Sequence, residues 1–167
     1  MADTMTPEQR SRCMSAVKGK DTKPEMIVRK YLFSKGLRYR LHVRSLPGNP
    51  DIVLPKYKTV VFINGCFWHG HEGCKNYRLP KTNVDFWKSK ITNNKNRDFR
   101  NEIKLEELGW RVIRIWECEI KRVQDRNKSL ENLYNQILGK SSRYDDNEIP
   151  IQIAAEESME YGNDKSS

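Results

Sequence analysis

The run Gly65-Cys66-Phe67-Trp68-His69-Gly70-His71-Glu72-Gly73-Cys74 sets two thiols and two imidazoles beside two large aromatic rings. An ordinary loop has no use for that mixture, whereas a metal clasp does. Thiolate and imidazole are preferred zinc donors, and a tetrahedral structural site needs four of them. Cys66, His71 and Cys74 supply three, spaced C-x4-H-x2-C. The fourth is either His69 or a distant residue, and Cys118 in Trp116-Glu117-Cys118 is the obvious distant candidate. Just upstream lie Pro50-Asp51 and the apolar Val60-Val61-Phe62-Ile63. A carboxylate, a buried strand, a histidine and a metal clasp are together the parts of a metal-dependent hydrolase.

Charge narrows what is hydrolysed. The chain of 167 residues carries a formal +9. Residues 141–167 hold seven acidic side chains against Arg143 and Lys165, so the body that precedes them is more basic still. A body of that kind points to a polyanion, most often nucleic acid. No segment pairs an apolar stripe with a basic face, so a membrane surface is not the expected partner. No signal-peptide pattern and no spanning apolar run is found, and a cytoplasmic protein with reduced cysteines is expected. Cys13 stands outside the metal-like pattern.

The size suits one domain with a real core. Thr6-Pro7-Glu8-Gln9 has the form of a capping box, predicting a helix to about Val17. Thr22-Lys23-Pro24-Glu25 opens a second helix that stops at Gly36. Strands are expected at residues 39–43, 51–54, 59–63 and 110–116. Residues 85–108 read as helix, break near Thr92-Asn93-Asn94, and helix again, and residues 130–138 as a last short helix. The order is that of an α/β protein with a three-layer α/β/α mixed sheet. Residues 1–20 form an N-terminal helical arm, 21–140 the main domain, and 141–167 an acidic, mobile tail. No Gly-rich phosphate loop follows a strand, which argues against nucleotide binding.

Asp51 opens a short strand after a turn proline, a position suited to Mg²⁺ held together with carbonyls and waters. The neighbouring strand offers no second carboxylate; Ile63 contributes only a carbonyl and Asn64 only an amide. His69 is the candidate general base unless it completes the zinc site. Glu25 either supports His69 or the metal through water, or is simply the reciprocal half of a capping box. Phe67, Trp68 and Trp87 serve as core around the metal or as wedges between bases. Lys88, Lys90, Lys95, Arg97 and Arg100 match phosphates, or form a solvated face.

The blocks Leu46-Pro47-Gly48-x-Pro50-Asp51, Gly65-Cys66-Phe67-Trp68-His69, Phe86-Trp87, Leu108-Gly109-Trp110-Arg111-Val112 and Trp116-Glu117-Cys118 resemble the very-short-patch mismatch repair endonucleases of bacteria. The resemblance runs in unbroken order from about Arg10 to Ile120. It implies a fold like that of type II restriction endonucleases with a structural zinc. The implied activity is nicking of double-stranded DNA 5′ of the thymine in a T·G mispair, the product of 5-methylcytosine deamination. It implies Zn²⁺ on Cys66, His71, Cys74 and Cys118, and Mg²⁺ on Asp51 and the Ile63 carbonyl. His69 is then the base and Glu25 its support. Phe67, Trp68 and Trp87 enter from the major-groove side, Met14 presses from the minor groove, and Lys90 and Asn94 read the mispaired bases. A monomer is implied, coupled to mismatch-repair proteins and a repair polymerase. Asn64 departs from the pattern, standing where a titratable residue is expected. The rival readings are a restriction-type endonuclease acting on matched sites and a non-catalytic zinc-stabilised DNA-binding module.

Overall fold

The computed structural model describes residues 5–139. The acidic segment 141–167 lies outside them. Helix α1 (Pro7–Ser15) begins as its sequence dictates, with Thr6 and Gln9 capping each other and Pro7 in the first turn. It buries none of its residues. Helix α2 (Lys23–Ser34) starts on the Thr22 hydroxyl and ends at Gly36, whose φ of +82° suits a residue without a Cβ. Strands β1 (Arg40–Leu41), β2 (Ile52–Leu54) and β3 (Thr59–Asn64) follow, then α3 (Val84–Glu107), β4 (Arg111–Trp116), α4 (Glu117–Lys121) and α5 (Val123–Ile137).

The sheet runs β1-β2-β3-β4. Its first two pairings are antiparallel and β3 pairs with β4 in parallel, with Ile63 opposite Ile115. Side chains alternate between two buried faces. Ile52, Leu54, Val61 and Ile115 pack with Val28 and Leu32 of α2, Ile120 of α4, and Leu130, Leu133 and Ile137 of α5. Val53 and Val60 turn the other way, onto Leu105 of α3, with Phe62, Trp110 and Val112 around them. Helices therefore cover both faces of a mixed sheet, which is why β2 is apolar at every position.

Three expectations are corrected. The break in the third helix is absent, and α3 is one run of 24 residues. Asn-rich stretches oppose helix when their side chains compete for their own backbone. Here the Asn94 amide is engaged elsewhere, donating to the Trp68 carbonyl at 2.9 Å, and Ile91 and Leu105 bury either half of the helix. The last helix starts seven residues earlier than expected and is preceded by α4, unforeseen because few apolar residues mark it. Trp116 N–H donates to Glu119 at its start, and Arg126 Nε donates to the Ile120 carbonyl at 2.6 Å, tying α4 to α5. β1 is cut to two residues because His42 takes φ +46°, outside strand geometry.

Leu105 is fully buried and is the main apolar anchor of α3 on its face. Leu105→Ala should cost about 3 kcal/mol, within the usual range for a buried leucine. Urea unfolding should show a lower midpoint with an unchanged slope.

Candidate active site

The turn before Asp51 is shaped by two left-handed residues, Gly48 (φ +75°) and Asn49 (φ +49°). A Cβ on Gly48 would sit 3.1 Å from the Asn101 amide nitrogen, so glycine also lets the turn rest against α3. Asp51 is thus delivered to the head of β2, where its Oδ2 accepts the Ile63 N–H at 2.8 Å. The β2–β3 ladder ends at Ile52–Val61, two residues earlier. N–H and C=O of one strand residue face the same side. The Ile63 carbonyl therefore points past the ladder's end, beside the Asp51 carboxylate. Burial pushes the Asp51 carboxyl up to about 6, and the Glu25 charge adds to it against the opposing pull of Ile63 N–H, His42 and His69.

His69 sits in the tight turns that follow β3, its N–H donating to the Gly65 carbonyl. Its Nδ1 lies 2.5 Å from Oδ2 of Asp98 on α3. A carboxylate at Nδ1 holds the proton there and leaves Nε2 free to accept one. Burial raises the Asp98 carboxyl, but the His69 hydrogen bond, the charge of that ring and Arg97 outweigh it and leave it below its ordinary value. Asp98 was not foreseen. Its signal was available: Ile91, Asn94, Asp98 and Leu105 recur at helical spacing, so two polar residues occupy the stripe that faces inward.

Asp51, Ile63, His69, Glu25, Trp68 and Glu117 border one cavity of about 600 Å³. Glu25 is nearly buried, and its carboxylate is spent on Asp21 N–H (2.9 Å), the Thr22 hydroxyl (3.3 Å) and Arg29 (3.0 Å). His69 is not among its partners. Glu25 is thus a cap displaced by one residue, whose charge nonetheless reaches Asp51. Arg29 also grips Asp21 and His42, so a guanidinium already stands among those three possible metal donors. Asn64, at the end of β3, is buried beside the same cavity.

One donor atom from each of Cys66, His71, Cys74 and Cys118 lies within 4.8 Å of the others. The donors therefore come from the loop and from α4, while His69 is turned toward Asp98. The His71 ring stacks on Trp116 at 4.0 Å, presenting Nδ1 3.5 Å from the Cys118 sulfur. Burial pushes the Cys66 thiol up to about 12 and raises that of Cys118. Cys74, near the surface and hydrogen-bonded by Asn76 N–H, is lowered. Gly70 brings this loop onto α3: its φ is +62°, and a Cβ there would lie 2.8 Å from Ile91.

Phe67, Trp68 and Trp87 meet edge to face at 5.2–6.0 Å, and Phe86 extends the group at 5.2 Å from Trp87. All three of the first group are only partly buried. Lys90 is exposed on α3, and Met14 is 39% exposed on α1.

A basic body, an acid and a histidine facing one cleft, and aromatics at its rim describe a DNA endonuclease, and comparison with known proteins agrees. The family described as DNA mismatch endonuclease Vsr matches residues 2–76. The type II nicking enzyme V.NmeAIP of Neisseria meningitidis is 50% identical over 137 residues, 82% of this chain and 97% of that protein. The type II nicking enzyme V.XorIIP of Xanthomonas oryzae is 46% identical over 80% of this chain and 97% of its own length. The DNA mismatch endonuclease Vsr of Escherichia coli is 42% identical over 72% of this chain and 77% of its own. The chain belongs to the Vsr family of DNA mismatch endonucleases. Among the described residues no helix is long and apolar enough to cross a membrane.

The raised Asp51 carboxyl has a thermodynamic signature. A folded-state pKa near 6 against an unfolded value near 4 means that the native protein binds the extra proton between those values. In the metal-free protein this contribution is full below about pH 4 and is lost as pH rises through about 6. Asp51→Asn keeps an acceptor for Ile63 N–H without the charge. It should stabilise the metal-free protein by about 2 kcal/mol at pH 8 and hardly at all at pH 4, as thermal unfolding at the two pH values would show.

Proposed function

We propose that this protein is a Mg²⁺-dependent endonuclease that nicks one strand of double-stranded DNA 5′ of the thymine in a T·G mispair, repairing deaminated 5-methylcytosine. The observation that carries it is the common cavity onto which Asp51, Ile63 and His69 open, with Asp98 bonded to His69 and Trp68 of the aromatic group at the cavity's edge. Asp51 and the Ile63 carbonyl are the oxygen donors that would hold Mg²⁺. That ion, when bound, supplies positive charge to the phosphate oxygens. His69 Nε2 takes the proton of the attacking water, and Asp98 keeps the ring in the tautomer that can do so. Glu25 acts at one remove, through its charge and the Arg29 network.

A T·G wobble is easier to prise open than a matched pair, so wedging turns deformability into selectivity. Phe67, Trp68 and Trp87 serve as the wedge from one groove. Met14, on a helix that buries nothing, presses from the other as part of an arm spanning residues 1–20 on the 21–140 body. Lys90 and Asn94 read the mispair. Asn94 spends one N–H on Trp68, which leaves its oxygen and second N–H for reading and couples its place to the wedge. The mixed sheet is read as a restriction-endonuclease type of scaffold. Zn²⁺ fits the Cys66, His71, Cys74 and Cys118 set: a tetrahedron of zinc–sulfur bonds puts its sulfurs about 3.8 Å apart, inside the 4.8 Å within which the donor atoms lie. One-sided nicking suits a cytoplasmic monomer that hands its product to mismatch-repair proteins and a repair polymerase.

End-labelled duplexes differing only in T·G against C·G test the reading. With Mg²⁺, a nick confined to one strand of the mismatched duplex is expected. Cutting of both strands at matched sites would indicate a restriction enzyme, and binding without cleavage a DNA-binding module. Asp51→Ala and His69→Ala should each lower the nicking rate at least about 100-fold while binding persists.

Metal analysis should find one zinc per chain. Cys118→Ser should lose it and melt several degrees lower, since such metal binding is folding free energy. A Cys118→Ser protein that still holds one zinc would contradict the assigned ligand set.

A further inference from the structure

A second cavity, of about 300 Å³, lies against the first and shares Gly48, Asn49, Phe62, Asn64 and His69 with it. Its remaining wall is Arg97, Asp98 and Asn101 of α3 and Arg114 of β4. The two cavities differ in sign. Glu25, Asp51 and Glu117 face the first against Lys18, a setting for a cation. Two guanidiniums face the second, and its one carboxylate is already engaged by His69 and Arg97.

Two of these residues bring polar groups to the cavity wall from the strands. Arg114 lies opposite Phe62 in the β3–β4 pairing and follows Val112 at strand spacing, on the side of the sheet nearer α3, but it is exposed on the edge strand. It makes one ion pair, to Glu102 at 2.9 Å, out of five N–H donors. Asn64 is 5% exposed, and no hydrogen bond among the described residues involves its side chain. Arg29 Nε is the one buried side-chain polar atom without a partner among the described residues, so the Asn64 amide is reached by solvent, through the cavity it lines.

We propose that this cavity is a second phosphate site, in which Arg97, Arg114 and the Asn64 amide hold an uncut backbone phosphate of the DNA while the neighbouring phosphodiester lies at Asp51 and His69. The assignment rests on the endonuclease reading. Guanidinium forks suit phosphate oxygens better than any neutral ligand of that volume. Charges recur at short intervals along a DNA strand, so adjoining cavities of opposite sign suit successive phosphates, one met through a metal and one met directly. An amide at position 64 donates at any pH, as a site that only grips requires.

The test is a set of T·G duplexes, each with one neutral methylphosphonate at an uncut position within two phosphates of the nick, on either strand. Binding and single-turnover nicking are measured for the wild type, Arg114→Gln and Arg97→Gln. One position should weaken wild-type binding about tenfold, and the same substitution should have little further effect in Arg114→Gln. The salt dependence of that variant should fall by about 0.9 in log–log slope, one phosphate contact. Arg97 is half-exposed, so Arg97→Gln repeats the comparison where folding is not at stake. The proposal is overturned if every methylphosphonate effect persists undiminished in both variants, as it would if the cavity took only free phosphate. Absence of any nick in the unmodified duplex by the wild type would instead remove the endonuclease reading itself.

Discussion

The hydrogen bond from His69 Nδ1 to Asp98 joins two parts of the chain that arrive at the site by different routes. His69 comes from turns closed over a thiol cluster, and Asp98 from a helix seated on the sheet through Leu105. The same helix takes Asn94 to the Trp68 carbonyl and lays Asn101 against the turn that presents Asp51. The His69 ring, Trp68 and the Asp51 turn are therefore positioned from one rigid rod. Had α3 been broken at its asparagines, each would have been free to drift, and misplacement by an ångström is enough to disable general-base chemistry.

The protein leaves the site electrostatically unfinished. Burial and Glu25 hold the Asp51 carboxyl high, and burial holds the Cys66 and Cys118 thiols high. In each case burial disfavours the charged form, for Asp51 against the pull of His42 and His69. By contrast, Asp21 and Glu25 are closed off by Arg29, although they and His42 also stand close enough to look like ligands. Clustered donors become a metal site only where no internal cation has taken the place. The structure separates the two situations where a list of acidic and histidine residues would not.

Much of this was legible before any coordinates. Both N-terminal helix starts follow from their capping residues, and the cysteine-histidine run foretold a clustered donor set, with Cys118 the distant member. The choice between Cys118 and His69 came from the family resemblance and not from spacing, because it depends on α4 folding back onto the loop, and α4 has almost no apolar signal of its own. Asp98 was hidden for a different reason. In Lys-Asn-Arg-Asp-Phe-Arg it looks like one more charge on a basic face, although its helical spacing from Ile91, Asn94 and Leu105 places it on the inward stripe. The helix break was misjudged because propensity treats asparagine as competing for its own backbone, and Asn94 is occupied by another segment's carbonyl.

Asn64 shows how local substitution and global chemistry connect. The end of β3 is where both cavities meet, and an amide there can donate or accept a hydrogen bond but cannot exchange a proton in the working pH range. Asp51, its carboxyl pushed up to about 6, and the His69 imidazole face the same cavity, and an amide at position 64 leaves proton exchange to those neighbours. That frees position 64 to grip rather than react, and a gripping residue does best with its charge state indifferent to pH.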